Sequence, residues 1–502
     1  MTAQPHDPAL SLRAALQAAR RDDPRHFRVS TRRLTDEEVG ADFAAEFAGI
    51  PATSRSHSED VVLYTDVNDG TMPVVLGLYG DADRVRGWLP GLPTVADRAA
   101  ADALVAAARA PEFVRDQPAC QAEVLVADGR VRGAVNGRGS GRLGADAVDL
   151  AALPVLRTTP RDAGRYLTMG MVCAHDPDRD GYAVSVHRML VLDHNRLTLW
   201  TLPSRRLREL CAAAAGRGER LPVSINIGVP PAAMIASALN SRFLPAGVDK
   251  LDVAGALAGA PIALATAVSQ PVTVLAESEI VLEGYLDGAT ADESVVGPPT
   301  TSLPEFLGYD GSARPDLPVV TVTAITTRRR PVYQATIGPG REQSVILGLA
   351  GALSLALSGG DDYRDLVRDA HFSAAGGGLL LLTMSVRKGS PRADQRLAPL
   401  ARKVFADHPF VKLIVFTDED IDISSAEDVL WAMTTRANLA TDCLSFAGFP
   451  HMAMDPSQSL AWAAAKGTGG EIVRRVAIDA TVPHRLRESV VRSFPVPVRA
   501  HR

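Results

Sequence analysis

Little in this chain of 502 residues favours a disulfide framework, a zinc cage or a membrane span. Four cysteines, Cys120, Cys173, Cys211 and Cys443, lie far apart with no CxxC pair, which leaves reduced thiols in a cytoplasm as the expectation. The longest apolar stretch, Val345 to Leu357, is too short to cross a bilayer. The opening MTAQPHDPALSLRAALQAARRDD lacks the apolar core of a signal peptide, so a soluble protein is expected. A formal net charge of −5, spread without long runs of one sign, gives no electrostatic footprint for nucleic acid or an anionic membrane. What remains is small-molecule chemistry on a chain that is 46% hydrophobic, enough for a sizeable core divided among roughly two to four domains.

The pattern along the chain changes twice. Leu10 to Ala19 and Asp36 to Phe47 have helical spacing, and Val61 to Tyr64 and Met72 to Tyr79 read as strands, so residues 1–122 are expected to form an N-terminal α/β domain. From Glu123, short apolar runs such as AVSVHRMLVL, LTLWTL, LPVSINIG and EIVLEGYL alternate with Gly, Asp and Pro turns. They predict a strand-rich central domain, a barrel or curved sheet, over 123–319. Beyond a proline-bearing stretch, Val319 to Ile325, the helical run Glu342 to Leu357 and Val411 to Phe416 predict a C-terminal α/β domain over 320–502. Ser425 and Asp428 have capping-box spacing before a last helix.

Six ordered blocks carry a family likeness. They are VDLAALPVLRTTPRDAGRYLTMGMV at 148–172, DPDRDGYAVSVHRMLVLDHNRLTLWTLPSRRL from Asp176 to Leu207, GVPPAAMIASAL at 228–239, GVDKLDVAGAL at 247–257, SEIVLEG at 278–284 and DEDIDISSAEDVLWAMTTR at 418–436. With these blocks the chain resembles the UbiD family of prenylated-flavin decarboxylases along nearly its whole length. The resemblance implies an N-terminal α/β domain, a central split β-barrel that binds prenylated FMN, and a C-terminal domain used for dimerisation. It also implies non-oxidative loss of carbon dioxide from an α,β-unsaturated or aromatic acid.

Residue by residue, the resemblance implies that Arg188, in SVHRML, contacts the substrate carboxylate, a task suited to a planar guanidinium fork. Glu305, in LPEFLGY, falls on the acid that returns a proton to the substrate carbon, which needs a raised pKa. The family places a second glutamate five positions earlier, where this chain has Thr300, so its acid–arginine–acid network reads as incomplete. Glu293 is the nearest upstream acid and fills the gap only if the loop is rearranged.

The metal site departs further. Family positions for Asn, His and Glu, which hold a divalent ion against the flavin phosphate, match Ala183, Arg206 and Lys250 here, and none of these is a sensible ligand. No metal is therefore expected. Arg206 and Lys250 together bring about +2 towards a phosphate of about −2, and Arg205 offers another donor, so direct cationic anchoring is the expectation. Ser185, Val186, His187 and Ser237 fall at positions that face the flavin in relatives.

The remaining features carry less. GRGSGRLG at 137–144 lacks the βαβ context and acid of a dinucleotide site, DEDID lacks an EF-hand's glycine and terminal glutamate, and His175 with Asp176, Asp178 and Asp180 reads as a solvated turn. Two other readings stay open: a non-catalytic scaffold or partner subunit of the same fold, and an enzyme of different reaction using unmodified FMN.

Overall fold

The computed structural model describes residues 9–47, 49, 58–68, 70, 72–126, 129–132, 148–178, 181–202, 205–296, 301–304, 308–452, 454–467 and 473–494. It is a mixed α/β chain of two compact units, one of Met1–Gly91, Ala107–Ser241 and Pro245–Gln343, the other of Leu92–Ala106, Arg242–Leu244 and Ser344–Arg502. The glycine-rich 137–144 stretch lies outside the described residues.

In the first unit, a helix Leu12–Asp22 starts where the Ser11 hydroxyl accepts from the Ala14 N–H. A second, Asp36–Phe47, opens on three acids that favour the positive end of its dipole, with Thr35 and Glu38 exchanging hydrogen bonds as a capping box. The strands Phe27–Leu34, Val61–Val67, Val74–Leu76 and Tyr333–Gln334 form one sheet in that order. The predicted strand over Met72 to Tyr79 is shorter, because the chain turns at Gly77 with φ of 75°.

The second sheet of this unit positions the site. Its antiparallel order is Gly129–Arg132, Glu123–Val126, Leu317–Thr327, Ile280–Ala291, Leu221–Ile227, Tyr166–Asp176, Gly181–Leu190, with Arg196–Thr198 also bonded to Leu317–Thr327. The described strands form no closed barrel. The strand Leu317–Thr327 belongs to this sheet, so the sheet's domain runs past residue 319, and the compact second unit takes up the chain at Ser344. One cluster of buried side chains joins Leu34, Val39 and Phe43 to Val172, Ile225 and Val322, so the N-terminal and central segments share a core.

In the pair Tyr166–Asp176 and Gly181–Leu190, the register shifts between Leu167 and Gly170, which leaves Thr168 and Met169 opposite the single residue Arg188. A side chain at Gly170 would place its Cβ 2.3 Å from Met189 Cε, so this crowded bulge accepts glycine.

The second unit holds a five-stranded sheet in the order Val367–Phe372, Leu381–Val386, Leu413–Thr417, Arg475–Ala480, Cys443–Phe446, parallel in its middle three strands. The helix Ala426–Arg436 begins at the Ser425 cap, as the spacing predicts. Asp418 and Asp420 bind Arg436 at 2.7 and 2.6 Å, giving DEDID a structural role.

The helix Arg341–Ser358 is capped by a distant acid: Glu59 accepts from the Arg341 and Glu342 N–H groups at 2.6 and 3.1 Å. Burial, together with the neighbouring Glu342 carboxyl, pushes the Glu59 pKa up to about 8. Between the ordinary glutamate value and about 8, the folded chain keeps a proton that the unfolded chain has lost. Glu59 therefore stabilises the fold fully below that window, and its contribution falls as pH rises through it. Melting temperatures taken from about pH 5 to about pH 9 should decline, and Glu59→Gln should flatten that decline.

Candidate active site

The strand Gly181–Leu190 separates two environments by its period of two. Ala183, Ser185 and His187 share one face, and Val186 and Arg188 share the other.

On the first face, Ser185 Oγ lies 2.7 Å from His187 Nε2, while His187 Nδ1 lies 2.9 Å from the Trp200 carbonyl. Burial, helped by Arg205 and Lys250, pushes His187 down to about 3, so its ring is neutral. The neutral ring then donates from Nδ1 to the carbonyl and accepts the Ser185 hydroxyl at Nε2. Lys250 opens the helix Lys250–Ala258, whose capping box is made by Asp249 and Asp252. Its ammonium is buried and donates to the Val184 and Ser237 carbonyls at 2.9 and 2.7 Å. Burial first, and Arg205 second, hold its pKa well below the usual lysine value. The Ser237 hydroxyl is spent on the Met234 carbonyl at 2.7 Å. Arg205 donates to the Leu239 carbonyl, and burial lowers its pKa.

Three nitrogenous side chains thus converge, and among the described residues neither Arg205 nor Lys250 has a carboxylate in ion-pair range. Asp249, the acid that acts on Lys250, already accepts the Tyr182 N–H and caps its helix. Thr201, next to Trp200, buries a hydroxyl with no partner among the described residues.

Arg206 is placed otherwise. Its Nε and Nη2 fork onto Asp176 at 2.7 Å each, Nη1 reaches Glu209 at 2.7 Å, and Nη2 also meets Asp178. The expected phosphate contact from Arg206 is therefore corrected, because its donors are committed to three acids. The reading of Asp176 as part of a solvated turn is corrected too, since Asp176 is buried beneath that guanidinium.

On the second face, Arg188 donates to Glu293 Oε2 at 3.2 Å, with side-chain exposures of 10% and 0%. Its guanidinium lies 5.0 Å from the Trp200 ring centroid, a cation–π distance. Glu293 also accepts from the Arg314 N–H at 3.0 Å and from the Tyr166 hydroxyl at 3.4 Å. Burial raises its pKa, while Arg188 and these donors oppose the rise. Arg188 thus has a carboxyl partner in Glu293, the upstream acid named from the sequence. Glu305 and Thr300 lie outside the described residues. Tyr166 and Trp200 escaped the sequence reading, although both stand inside quoted blocks.

Residues 138–342 match the UbiD family's 3-octaprenyl-4-hydroxybenzoate carboxy-lyase Rift-related domain, and 361–480 match its C-terminal domain. Gallate decarboxylase of Lactiplantibacillus plantarum is 30% identical over 352 residues, covering 70% of this chain and 71% of that protein. The apo 3,4-dihydroxybenzoic acid decarboxylase of Enterobacter cloacae superposes with a TM-score of 0.84 at 27% identity, covering 98% of both chains. An evolved dimeric form of the UbiD-class enzyme HmfF from Pelotomaculum thermopropionicum, in complex with prFMN, gives a TM-score of 0.75 at 25% identity over 97% of each chain. The chain belongs to the UbiD family of carboxy-lyases.

A flavin phosphate fits the cation cluster, which among the described residues offers donors without an acid in ion-pair range. A divalent ion does not fit the family's ligand positions: Ala183 has no donor atom, Arg206 is bound by acids, and Lys250 places an ammonium there. Among the described residues, no group of three His, Cys, Asp or Glu side chains is arranged to hold a metal. Arg206→Gln should expose the buried Asp176 charge and cost about 1.5–3 kcal/mol in urea denaturation, as expected for a lost charged hydrogen bond. Glu209→Gln, at the exposed end of the same cluster, should change stability by less than about 0.5 kcal/mol.

Proposed function

We propose that this protein is a non-oxidative decarboxylase of an aromatic or α,β-unsaturated carboxylic acid that uses prenylated FMN. The Arg188–Glu293 pair carries the reading. A nearly buried guanidinium held beside a carboxyl and an aromatic ring supports a role in binding the substrate carboxylate, a task suited to its planar fork. The named substrates of the relatives, gallate and 3,4-dihydroxybenzoic acid, support an aromatic acid.

Bound prenylated FMN would supply the electron sink for carbon dioxide loss, with its phosphate held by Lys250 and Arg205. The chain's own part is binding and proton handling. Arg188 holds the acid, Glu293 fixes Arg188, and Glu305 delivers the proton to the carbon that has lost carbon dioxide. Burial favours the protonated form of Glu293 and Arg188 disfavours it, so Glu293 is poised to take up a proton from solvent when the substrate carboxylate competes for the guanidinium.

The eight-stranded sheet is read as a split barrel, a view supported by the isolated bridge from Val191, just past Gly181–Leu190, to Leu197 in Arg196–Thr198, the latter bonded to Leu317–Thr327. A dimer in the cytoplasm completes the proposal. Among the described residues, no helix is long and apolar enough to cross a membrane.

Purified protein supplied with prenylated FMN should release carbon dioxide from 3,4-dihydroxybenzoate or gallate. Glu305→Gln should lower kcat by roughly 10²–10⁴-fold while leaving the cofactor's absorbance in place. Arg188→Ala should lower kcat/KM chiefly through KM. Cofactor binding with no turnover of any tested aromatic or unsaturated acid would instead favour the non-catalytic reading.

A further inference from the structure

We propose that this chain has replaced the family's divalent metal with a cationic clamp, the buried Lys250 and the half-buried Arg205, that holds the flavin phosphate directly. The inference rests on the flavin reading above and departs from the family in one respect, the agent that neutralises the phosphate.

Three observations carry it. First, Lys250 sits in the place of the metal-binding glutamate, and its ammonium points inward, fixed by the Val184 and Ser237 carbonyls. Two of its three donors are thereby used, and one is left for a ligand oxygen. Carbonyls orient an ammonium without neutralising it, so an ammonium buried with only carbonyls lacks a counter-charge. Second, Arg205 reaches the Leu239 carbonyl at 3.5 Å, two residues from the Ser237 carbonyl that holds Lys250, and Lys250 also binds the Val184 carbonyl on the strand of His187, which brings the three groups into one neighbourhood. Among the described residues, its guanidinium meets a backbone carbonyl and no acid. Third, Arg206 is withdrawn from the site. Asp176, Asp178 and Glu209 take its donors, so its cationic neighbour in sequence, Arg205, takes the inward place.

A phosphate dianion supplies the charge that this pocket lacks, with a point charge from Lys250 and a planar fork from Arg205. A divalent ion at the same place would face an ammonium and a guanidinium without a carboxylate, and like-charge repulsion in a buried site opposes its entry. Neutral His187 and the Ser185 hydroxyl can adjust their shared hydrogen bond without adding charge.

The test is flavin binding by full-length protein stripped with EDTA, titrated with FMN and with riboflavin and followed by flavin fluorescence. The metal content of the same samples is measured alongside. FMN should bind equally well with and without EDTA, at least about 100-fold more tightly than riboflavin, and without stoichiometric metal. Lys250→Met and Arg205→Met should each bring the FMN affinity towards that of riboflavin, whereas Arg206→Gln should leave the ratio within about twofold. If either Met variant fails to fold by circular dichroism, the wild-type comparison still decides. Loss of FMN affinity in EDTA with recovery on added Mn²⁺, or equal affinity for FMN and riboflavin, would overturn the clamp while leaving the flavin reading intact. Binding of neither flavin would overturn both.

Discussion

One strand with two faces governs this protein. Because side chains alternate along Gly181–Leu190, a single stretch of backbone presents His187 to a cationic pocket and Arg188 to a carboxyl, with only the sheet between them. A one-residue slip would exchange these partners and put the guanidinium beside Lys250. The register is held by antiparallel pairing with Tyr166–Asp176 and by the bulge at Gly170, where a methyl group would collide with Met189 and Ile225. Trp200 ties the faces together: its carbonyl receives His187, its N–H donates to the Arg188 carbonyl, and its ring lies beside the Arg188 guanidinium.

The two faces solve opposite electrostatic problems. On the Arg188 side, a buried acid and a nearly buried base lie in ion-pair contact, an arrangement that under the proposed function an incoming carboxylate would disturb. On the Lys250 side, cations gather with no acid in ion-pair range among the described residues, and under the proposed clamp an anion supplies the missing charge. Loss of the metal ligands alone need not abolish flavin binding, because charge has been redistributed along with them. Asp176, Asp178 and Glu209 hold Arg206, while the neighbouring Arg205 has no acid in ion-pair range among the described residues.

Much of this was legible in the chain. The helix Asp36–Phe47 and the Ser425 cap follow from spacing and capping chemistry, and the family blocks locate Arg188, Lys250 and His187. Other parts depended on three-dimensional placement. Nothing local distinguishes Arg205 from Arg206; the choice is made by Asp176, thirty residues earlier in sequence and brought alongside by the sheet. Glu293 could not be matched by counting from Glu305, since the count assumes a loop of fixed length, whereas burial with Tyr166 and Arg314 picks it out. The strand Leu317–Thr327 looked like the start of a new domain because proline and glycine precede it, yet its hydrogen bonds return it to the central sheet.

The central claim is that side-chain cations do here what a bound divalent ion does elsewhere in the family. A crystal structure of the FMN complex, with diffraction data collected at the manganese absorption edge after growth with added Mn²⁺, addresses it directly. The account predicts a phosphate oxygen within hydrogen-bonding distance of Lys250 Nζ and another at the Arg205 guanidinium, with no anomalous peak beside them. A manganese peak between the phosphate and the protein, or Lys250 turned away from the phosphate, would contradict it.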